Sequence, residues 1–494
     1  MHPFLARLGI PENHLFIEGK WVPSASKETD DVLNPMDDSV IGSVALGNAA
    51  DMDRALAAAG DSWAAWAERP AAARAAILYD YAALIRRHAD DLASLLTLEQ
   101  GKPIAEARGE VAFAADFLIH AAESARRLQG EILPGDVPHE QIWIQRVPYG
   151  VVAAMTAWNF PVALFTRKAG PALVTGNAIV IKPHEVTPLT SLALAALSVQ
   201  AGVPPGVLNV VTGRGREAGH HLVSSPRTNL VSMTGSVRAG REIYAAGSRD
   251  IKSIRLELGG KAPFIVLRDA NLDRAVDAAV AAKFVNGGQV CTANDRMYIE
   301  RDIHDAFMDR FLAKVRALRV GNPFQGVDIG PRVSSPEVAK LRDILAKARD
   351  QGAQTLVDMN GAAHGDPHAR GNWFFPAVLA VPSNDLAIMR EETFGPIVPV
   401  MKVDSFDQAL YLANQCDYGL SAYLFTESNR NIMRCVAELE FGEIFVNRGA
   451  GESVHAFHAG YKLSGIGGED GRHGIEGYLR KKTLYNHFGA PTSA

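Results

Sequence analysis

The sequence predicts an α/β protein built on parallel sheets. From residue 150 onward, short apolar runs alternate with stretches of helical periodicity, an order typical of parallel strands joined by crossover helices. A second alternating block begins near residue 263 and runs to about residue 446. With 494 residues the chain is longer than the ~250–300 residues at which a single core stops growing, so we expect two or three domains.

The first block contains the clearest predicted elements. Its strands are predicted over residues 151–156, 178–181, 207–211 and 230–233. Its helices are predicted near residues 162–175, 188–201, 216–224 and 236–247. Upstream, apolar residues three and four positions apart predict helices over 51–66 and 72–99 and a third that ends near 127. Two extended segments, 141–147 and 481–488, stand outside the blocks. Parallel sheets with crossover helices are a common frame for nucleotides, so we expect the first block to bind one.

Composition and charge exclude several classes of protein. The formal net charge of −5 leaves no basic field for nucleic acid, and no apolar stretch is long enough to span a membrane. The three cysteines are odd in number and lack CxxC spacing, which indicates a reducing, cytoplasmic location, and the N-terminus resembles no secretory signal. No metal site is expected, because His364 and His368 lie in a Gly/Asp/Pro loop without a third ligand.

Two glycine-rich loops are candidates for a phosphate site. Residues 210–219 nearly match the dinucleotide fingerprint but have one residue too many before the last glycine. Residues 233–240 also follow a predicted strand and open a predicted helix. Either loop directs backbone N–H groups from a helix start, where a phosphate is favoured, but both could be ordinary strand-to-helix turns. The residues alone leave these alternatives open.

One cysteine and one carboxylate are candidates for covalent chemistry. Cys291 lies among glycines and small residues, 34 positions after Glu257, so that a substrate could approach the thiol and the carboxylate could act as a base. The alternative is that Cys291 is a small buried hydrophobic residue, as most unpaired cysteines are. Asn159 is either an oxyanion donor or the N-cap of the helix that begins near Pro161. Spacing also leaves Glu257 and Glu185 as rival ligands of a cofactor ribose.

Seven short motifs occur in an order that resembles the NAD(P)-dependent aldehyde dehydrogenase superfamily. They are WNFP at 158–161, KPHE at 182–185, TGS at 234–236, LELGGK at 256–261, GQVC at 288–291, EETFGP at 391–396 and SGIGGE at 464–469. The run 447–460 is most similar to the lactaldehyde and glycolaldehyde dehydrogenase branch, with the succinate-semialdehyde dehydrogenase branch second. A CoA-acylating relative usually lacks the acid found at Glu257, so the resemblance implies oxidation of an aldehyde to a free acid.

The resemblance implies the aldehyde dehydrogenase fold, which has three parts. A Rossmann-like NAD-binding domain would comprise residues 1–129 and 149–258, and an α/β catalytic domain residues 259–478. A small bridging β-element would combine residues 130–148 and 479–494, which accounts for the two isolated extended segments. In the family this element joins subunits, so we expect a homodimer or a homotetramer.

The resemblance also implies the catalytic residues. Cys291 would be the nucleophile that forms a thiohemiacetal and then a thioester with the aldehyde, and Asn159 would hold the oxyanion. Glu257 would be the base that activates water to hydrolyse the thioester. Lys168 and Glu469 match positions that assist proton movement behind Glu257.

For the cofactor, the resemblance implies NAD, with NADP the weaker alternative. Lys182 and Glu185 match the pair that contacts the adenine ribose, and a carboxylate at Glu185 would repel a 2′-phosphate. Ser236 matches a pyrophosphate contact, Glu392 the acid on the nicotinamide ribose, and Phe394 the residue beside the ring. The other cofactor contacts implied are Thr156, Trp158, Gly215, Gly235, Gly240 and Leu258.

The substrate end departs from the common family pattern. Arg167, Glu452 and His458 suit a small aldehyde that carries a hydroxyl group, because a site built to bind a hydroxyl leaves its own polar groups unpaired with other aldehydes. Arg167 equally matches an arginine that binds a distal carboxylate, so a succinate-semialdehyde-type enzyme is the alternative. Thr292, where the branch often has asparagine, and Phe160 complete the predicted substrate contacts.

Overall fold

The computed structural model of the protein describes residues 3–360 and 370–489. The His364–His368 pair and residues 490–494 of the predicted β-element lie outside the described residues. Within the described ranges, none of the helices combines the length and the apolar character needed to cross a membrane.

Strands occur along the whole described chain. They are β1 (Leu15–Ile17), β2 (Lys20–Val22), β3 (Thr29–Leu33), β4 (Val40–Ala45), β5 (Glu131–Pro134), β6 (Glu140–Pro148), β7 (Val151–Met155), β8 (Ala178–Lys182), β9 (Leu208–Val210), β10 (Leu230–Thr234), β11 (Ser253–Glu257), β12 (Ala262–Val266), β13 (Asn294–Glu300), β14 (Gln354–Asp358), β15 (Ala377–Ala380), β16 (Ile397–Val403), β17 (Tyr418–Gly419), β18 (Ser421–Phe425), β19 (Glu443–Val446), β20 (Tyr461–Lys462), β21 (Gly465–Ile466) and β22 (Leu479–His487).

Helices precede the first parallel strands and then alternate with strands. They are α1 (Pro3–Arg7), α2 (Ala49–Glu68), α3 (Ala71–Arg87), α4 (Ala89–Gln100), α5 (Ile104–Ser124), α6 (Pro161–Val174), α7 (Leu189–Gln200), α8 (His220–Ser224), α9 (Val237–Ser248), α10 (Leu272–Phe284), α11 (Arg301–Arg316), α12 (Ser335–Asp350), α13 (Ala387–Arg390), α14 (Phe406–Asn414), α15 (Asn429–Glu438) and α16 (Gly471–Glu476).

The first alternating block folds into the centre of an eight-stranded sheet with the order β2-β1-β9-β8-β7-β10-β11-β21. The five strands from β9 to β11 in this order are parallel, and α6, α7 and α9 agree with the predicted crossover helices to within one residue. Strands β7, β8 and β10 are buried along their whole length, as expected for a parallel sheet covered on both faces. The short strands β1, β2 and β21 were not predicted, because two or three residues carry too little periodicity.

The second block folds into a seven-stranded sheet with the order β14-β15-β16-β13-β12-β18-β19. The edge pair β14–β15 is antiparallel, and the other pairs are parallel. The chain reaches the cavity described below through loops that precede β13 and β16. Both predicted α/β blocks are therefore present.

A three-stranded antiparallel sheet, β22-β6-β5, joins the two extended segments that stood outside the blocks. Strand β22 pairs with β6 from Leu479 opposite Pro148 to His487 opposite Glu140. The two partners lie more than 300 residues apart in the chain, so no local pattern could specify their register. The domain bounds drawn around this sheet stay predictions.

The predicted single helix over 72–99 is wrong, because two helices occupy this stretch. Helix α3 ends at Arg87 and α4 begins at Ala89, with His88 at the junction. At His88 φ is −99° and ψ is 20°, outside helical values. Asp90 and Asp91 in the first turn of α4 favour a new helix start there, since acids stabilise a helix N-terminus.

Candidate active site

A cavity of about 1480 Å³ lies where the carboxyl ends of β7, β8, β10 and β11 meet. Ligands of α/β proteins bind at this end of a parallel sheet. Thr156, Lys182, Thr234 and Glu257 end or follow these strands and line the cavity, and Cys291 lines it from the loop before β13. The cavity exceeds the ~300–1,000 Å³ usual for small-ligand sites, so it has room for a dinucleotide together with a small substrate.

Both glycine-rich loops reach this cavity, one through Gly215 and the other through Gly235 and Ser236. The helices behind them differ. Residues Gly215–Gly219 form a π-helical turn that leads into the five-residue α8. Ser236 instead caps the twelve-residue α9, and its Oγ accepts a hydrogen bond from the Ala239 N–H at 3.2 Å. The longer helix presents the more extended dipole, which favours the second loop as the phosphate site.

Glu185 lies beside the first glycine loop. Its Oε1 accepts a hydrogen bond from the Gly215 N–H at 2.7 Å, and its Oε2 lies 3.7 Å from Lys182 Nζ and 3.6 Å from His184 Nδ1. Burial would raise the pKa of Glu185, but the charges of Lys182 and His184 outweigh it and lower the pKa to about 2. Glu185 therefore places a permanent negative charge at this end of the cavity.

Two features of the cavity wall fit a dinucleotide. The hydroxyl groups of Thr156 and Thr234 are buried and have no hydrogen-bond partner among the described residues. Buried polar groups of this kind are normally satisfied, so both are available to a polar ligand. A Cβ at Gly240 would lie 2.6 Å from the side chain of Leu258, so glycine is needed for α9 to approach the end of β11 this closely.

Glu392 and Phe394 lie on the same side of the cavity as Cys291. The Gly260 N–H donates a hydrogen bond to Glu392 Oε1 at 2.9 Å, and a Cβ on Gly260 would collide with the Cys291 carbonyl oxygen. The rings of Trp158 and Phe394 meet edge to face with their centroids 5.3 Å apart. Burial raises the pKa of Glu392 to about 7. The predicted nicotinamide contacts are thus gathered beside the predicted nucleophile.

Cys291 follows a turn in which three successive residues adopt left-handed backbone conformations. The φ angle is +50° at Asn286, +59° at Gly287 and +76° at Gly288. Glycine adopts such angles freely, and asparagine tolerates them better than most residues. The buried Arg332 supports the turn by donating a hydrogen bond from Nη1 to the Gly287 carbonyl at 2.7 Å. The turn brings the partly exposed Cys291 to the cavity wall.

The thiol of Cys291 meets the predicted base. Its Sγ, a carboxylate oxygen of Glu257 and a ring nitrogen of His458 all lie within 4.8 Å of one another. Burial raises the pKa of Cys291 to about 12, and the charge of Glu257 adds to the rise, whereas His458 opposes it. The three atoms are close enough to hold a metal ion together, but covalent chemistry through Cys291 requires the sulfur to be free.

His458 does not line the cavity, although it was predicted to contact substrate. Its side chain is 1% exposed and stands between two carboxylates. Nε2 lies 3.1 Å from Glu257 Oε1, and Nδ1 lies 3.0 Å from Glu443 Oε1. The resemblance to the lactaldehyde and glycolaldehyde dehydrogenase branch implied a place in the substrate wall, but the ring packs against Glu257 instead.

Arg167 is already paired with an acid that was not predicted. Its Nε donates a hydrogen bond to Asp470 Oδ1 at 2.8 Å, and its Nη2 pairs closely with Asp470 Oδ2. Nη2 also lies 3.6 Å from Glu452 Oε2, and Nε lies 3.6 Å from Glu469 Oε2. A bidentate pair of this kind fixes the plane of the guanidinium. We refer to Arg167, Lys168, Glu452, Glu469 and Asp470 as the Arg167 cluster.

Lys168 and Glu469 are joined, as their predicted shared role requires. Lys168 is fully buried, and its Nζ donates a hydrogen bond to Glu469 Oε1 at 2.5 Å. Burial would raise the pKa of Glu469, but Lys168 and Arg167 outweigh it and lower the pKa to about 2. The backbones of Glu469 and His458 exchange hydrogen bonds of 2.7 and 2.9 Å, so the pair adjoins the segment that carries His458.

Asn159 is not the N-cap of α6. The first free N–H groups of that helix, at Val162 and Ala163, donate to Glu110 Oε1 at 2.9 and 3.2 Å. Asn159 Nδ2 instead donates to the Gln289 carbonyl at 3.0 Å, two residues before the nucleophile. One N–H of the amide is used in this way, and the second is available to an oxyanion beside Cys291.

Four predicted substrate contacts line the cavity, namely Phe160, Arg167, Thr292 and Glu452. Thr292 Oγ1 donates a hydrogen bond to Glu452 Oε1 at 3.3 Å. Burial would raise the pKa of Glu452, but His458 and Arg167 hold it below its ordinary value. The wall beside the nucleophile therefore presents an ionised carboxylate and an aromatic ring.

Residues around α5 support the site and were missed in the sequence. Lys102 Nζ donates a hydrogen bond to the Asn159 carbonyl at 2.8 Å and lies 3.9 Å from the centroid of the Phe160 ring. Glu106 Oε2 accepts a hydrogen bond from the Asn286 N–H at 2.8 Å. The only indication of them in the local sequence is that they are charged residues in a helical region that is otherwise apolar. Such residues are candidates for buried pairs, because buried charges are rare unless paired.

A second buried ionic group, which we refer to as the Asp295 cluster, comprises Lys261, Lys283, Asp295 and Thr393. Asp295 accepts from Lys261 Nζ at 2.8 Å and from Lys283 Nζ at 2.6 Å. Lys261 also donates to Thr393 Oγ1 at 3.0 Å, and the Thr393 N–H donates to Asp295 at 2.8 Å. None of these four residues lines the cavity. The cluster instead holds the loop that carries Glu392.

Known proteins resemble this chain along nearly its whole length. Residues 21–484 match the model of the aldehyde dehydrogenase family. A 3,6-anhydro-α-L-galactose dehydrogenase from Vibrio sp. (strain EJY3) is 44% identical over 475 residues, which cover 96% of this chain and 99% of the relative. An NADP(+) succinate-semialdehyde dehydrogenase from Escherichia coli (strain K12) is 41% identical over 470 residues, which cover 95% and 96%.

The fold is similar as well. The crystal structure of lactaldehyde dehydrogenase from Escherichia coli matches with a TM-score of 0.93 and 38% sequence identity, over 97% of this chain and 99% of that one. The matched family segment contains all seven motifs, the seven-stranded sheet and the eight-stranded sheet apart from β1 and the first residue of β2, and the match confirms the predicted fold. The chain therefore belongs to the aldehyde dehydrogenase family and is an oxidoreductase that acts on the aldehyde group of its substrates with NAD(P).

Proposed function

We propose that the enzyme oxidises a small hydroxyaldehyde, such as lactaldehyde or glycolaldehyde, to its carboxylic acid with NAD. The observation that carries the proposal is the cavity wall beside Cys291, where Glu452 is ionised and Arg167 is already bound to Asp470. An ionised carboxylate accepts hydrogen bonds and repels a second carboxylate. A hydroxyl group next to the aldehyde carbon complements this wall.

Three residues supply the chemical steps. The Cys291 thiolate attacks the aldehyde carbon to form a thiohemiacetal, whose oxyanion accepts hydrogen bonds from the Asn159 amide and the Cys291 backbone N–H. Bound NAD supplies the acceptor for the hydride that leaves this carbon. Glu257 then takes a proton from the water that hydrolyses the thioester. Lys168 and Glu469 assist the movement of that proton.

The charge of Glu185 favours NAD over NADP. A 2′-phosphate on the adenine ribose would approach a carboxylate whose pKa is lowered to about 2. Repulsion between the phosphate and this carboxylate opposes the binding of NADP, whereas the corresponding ribose hydroxyl of NAD can donate a hydrogen bond to the carboxylate oxygens. An E. coli relative named for NADP(+) belongs to the same family, so membership of the family does not by itself set the cofactor preference. The preference of this chain therefore depends on the residues around Glu185.

The second candidate is an enzyme of the succinate-semialdehyde type. Arg167 lines the cavity, and a relative named for succinate semialdehyde is 41% identical to this chain. Recognition of a distal carboxylate would require Arg167 to leave Asp470 or to bind both acids at once. The first loses a charge-assisted pair and the second brings two carboxylates together at one guanidinium, so we place the hydroxyaldehyde first.

The anhydrosugar named for the Vibrio relative is also a hydroxylated aldehyde. It shares with lactaldehyde and glycolaldehyde the group that Glu452 would bind, but it is larger. Whether such a sugar is accepted depends on the room between Cys291 and Phe160, and the substrate panel therefore includes one.

The test is NAD(P)H formation with purified enzyme and a panel of aldehydes. The panel contains lactaldehyde, glycolaldehyde, 3,6-anhydro-L-galactose, succinate semialdehyde and propanal, each with NAD and with NADP. We expect the highest kcat/KM for a hydroxyaldehyde with NAD. The highest kcat/KM for succinate semialdehyde would overturn the proposal in favour of the second candidate.

A Glu452→Gln variant assigns the preference to a residue. Loss of a hydrogen bond to a charged group costs about 1.5–3 kcal/mol, so kcat/KM for hydroxyaldehydes should fall by about 10–150-fold while that for propanal changes little. The matched control is Glu68→Gln, an exposed glutamate at the end of α2. Equal losses for propanal and the hydroxyaldehydes would contradict a role of Glu452 in hydroxyl recognition.

We also propose that the β22-β6-β5 sheet joins subunits in a homodimer or homotetramer. Large apolar side chains project from this sheet into solvent, with Ile132 and Tyr485 each 69% exposed. Exposed apolar groups on a sheet typically mark an interaction surface. Light scattering at several protein concentrations gives the subunit number, and Tyr485→Asp should lower it; an unchanged mass would exclude this surface.

A further inference from the structure

The ring of His458 is held in place from all sides. The backbone of His458 exchanges two hydrogen bonds with Glu469, which fix the chain segment that carries the ring. Nε2 forms a hydrogen bond with Glu257 at 3.1 Å, and Nδ1 lies 3.0 Å from Glu443 Oε1, at ion-pair distance but without hydrogen-bond alignment. Cys291 Sγ completes the group that surrounds the ring.

The two facing carboxylates determine the charge of the ring. A neutral imidazole has one N–H and one lone pair, so it would set a lone pair against either Glu257 or Glu443. An imidazolium has an N–H on each side, so each of the two carboxylates faces a positively charged N–H group. Of the other charged groups near the ring, Glu452 favours the cation and Arg167 opposes it.

We propose that His458 is a positioning residue, an imidazolium held between Glu443 and Glu257 that fixes the Glu257 carboxylate beside Cys291 and offsets negative charge on the sulfur. This role replaces the substrate contact predicted from the sequence. It deepens the proposed function and rests on it, since the cation matters only where Cys291 is the nucleophile.

The proposed step is a proton transfer that His458 assists without taking part. The S–H bond of Cys291 breaks, its proton passes to the Glu257 carboxylate and then to solvent in the cavity, and the sulfur keeps the electron pair. Both N–H groups of His458 remain in place. A nearby cation stabilises the thiolate relative to the thiol. Burial and Glu257 raise the pKa of Cys291 to about 12, and without His458 the thiolate would form less readily still.

The test is the pH dependence of Cys291 alkylation by iodoacetamide, followed by mass spectrometry of the peptide that contains Cys291. Neither cofactor nor aldehyde is present, so the result does not depend on which aldehyde the enzyme oxidises. We expect alkylation at a fixed pH well below the raised pKa of Cys291 to be about tenfold slower in His458→Asn, which corresponds to a further rise of about one unit in that pKa. Glu443→Gln should slow alkylation by less.

Two comparisons separate this role from others. In a Glu257→Gln background the base no longer carries charge, and adding His458→Asn should still slow alkylation at a fixed pH. Glu68→Gln is the control variant, and thermal unfolding shows which variants are folded. If His458→Asn does not fold, Glu443→Gln decides the question, because Glu443 is only partly buried and touches neither Cys291 nor Glu257 in the described contacts.

An unchanged alkylation rate at a fixed pH in either folded variant overturns the proposal. A raised KM for hydroxyaldehydes together with an unchanged alkylation rate overturns it in favour of substrate contact. Failure of the proposed function has a different signature: the alkylation profiles shift as expected, but no hydroxyaldehyde yields NADH.

Discussion

The two buried ionic clusters differ in what they face. The Arg167 cluster borders the cavity and contains three acids and two bases, so its charges interact with one another and with a ligand in the cavity. The Asp295 cluster holds one acid between two lysines and is sealed from the cavity. One cluster stands beside the chemistry, and the other ties β13 and α10 to the loop before β16.

The pKa values reflect this difference. Within the Arg167 cluster, burial raises the pKa of Asp470 to about 6 despite its pair with Arg167, while Lys168 and Arg167 lower the pKa of Glu469 to about 2. Two neighbouring acids in sequence are thus pushed in opposite directions. In the Asp295 cluster burial raises the pKa of Asp295, but the two lysines outweigh it and hold the pKa below its ordinary value. We therefore expect substitutions at the cavity to change chemistry and substitutions in the sealed cluster to change stability.

The largest effect is expected at the nucleophile. Cys291→Ala should lower NADH formation by at least about a thousandfold, because removal of a nucleophile leaves only binding and oxyanion contributions. NAD should still bind, as measured by calorimetry. Cys435→Ala is the matched control, since that cysteine is fully buried in the core of the second sheet. Turnover near wild type in Cys291→Ala would contradict the mechanism.

The next effect is expected at the base. Glu257→Gln should release a burst of about one NADH per site and then turn over about 10²–10⁴-fold more slowly than wild type, because thioester hydrolysis loses its base. Stopped-flow absorbance separates the burst from the steady rate. Steady turnover without a burst and near the wild-type rate would mean that another group activates water.

The sealed cluster should respond through stability. Asp295→Asn leaves Lys261 and Lys283 buried with a neutral partner, and uncompensated buried charge typically costs about 3–5 kcal/mol. Urea unfolding measures the loss. The control is Asp116→Asn in the exposed pair with Arg86, where the change should stay within about 1 kcal/mol. An equal loss in both variants would remove the distinction between the two clusters.

The smallest effect is expected at the cofactor corner. Glu185→Ala removes the charge that opposes a 2′-phosphate, so the ratio of kcat/KM for NAD to that for NADP should fall by about tenfold, equivalent to about 1.4 kcal/mol. A higher KM for NAD and a lower KM for NADP both contribute to this change. A ratio that does not move would mean that Glu185 does not contact the ribose.

The elements and the chemistry that are encoded locally could be predicted from the sequence alone. The alternation of apolar runs and helical periodicity predicted the parallel strands on either side of Asn159, since a strand that is buried on both faces appears as a continuous apolar run. The motifs around Glu257 and Cys291 predicted a nucleophile and a base, which the structure brings within 4.8 Å.

The pairing of the buried charges depends on tertiary packing instead. Arg167 was predicted to contact either a hydroxyaldehyde or a substrate carboxylate, yet it binds Asp470, which lies 303 residues away in the chain. His458 was predicted to contact substrate by resemblance to the lactaldehyde and glycolaldehyde dehydrogenase branch, yet the fold places it between Glu257 and Glu443. Partners of this kind depend on how distant segments pack, and a buried charge binds whichever opposite charge that packing brings within a few ångströms. The partner of a buried charge therefore cannot be predicted from the residues around it in the sequence.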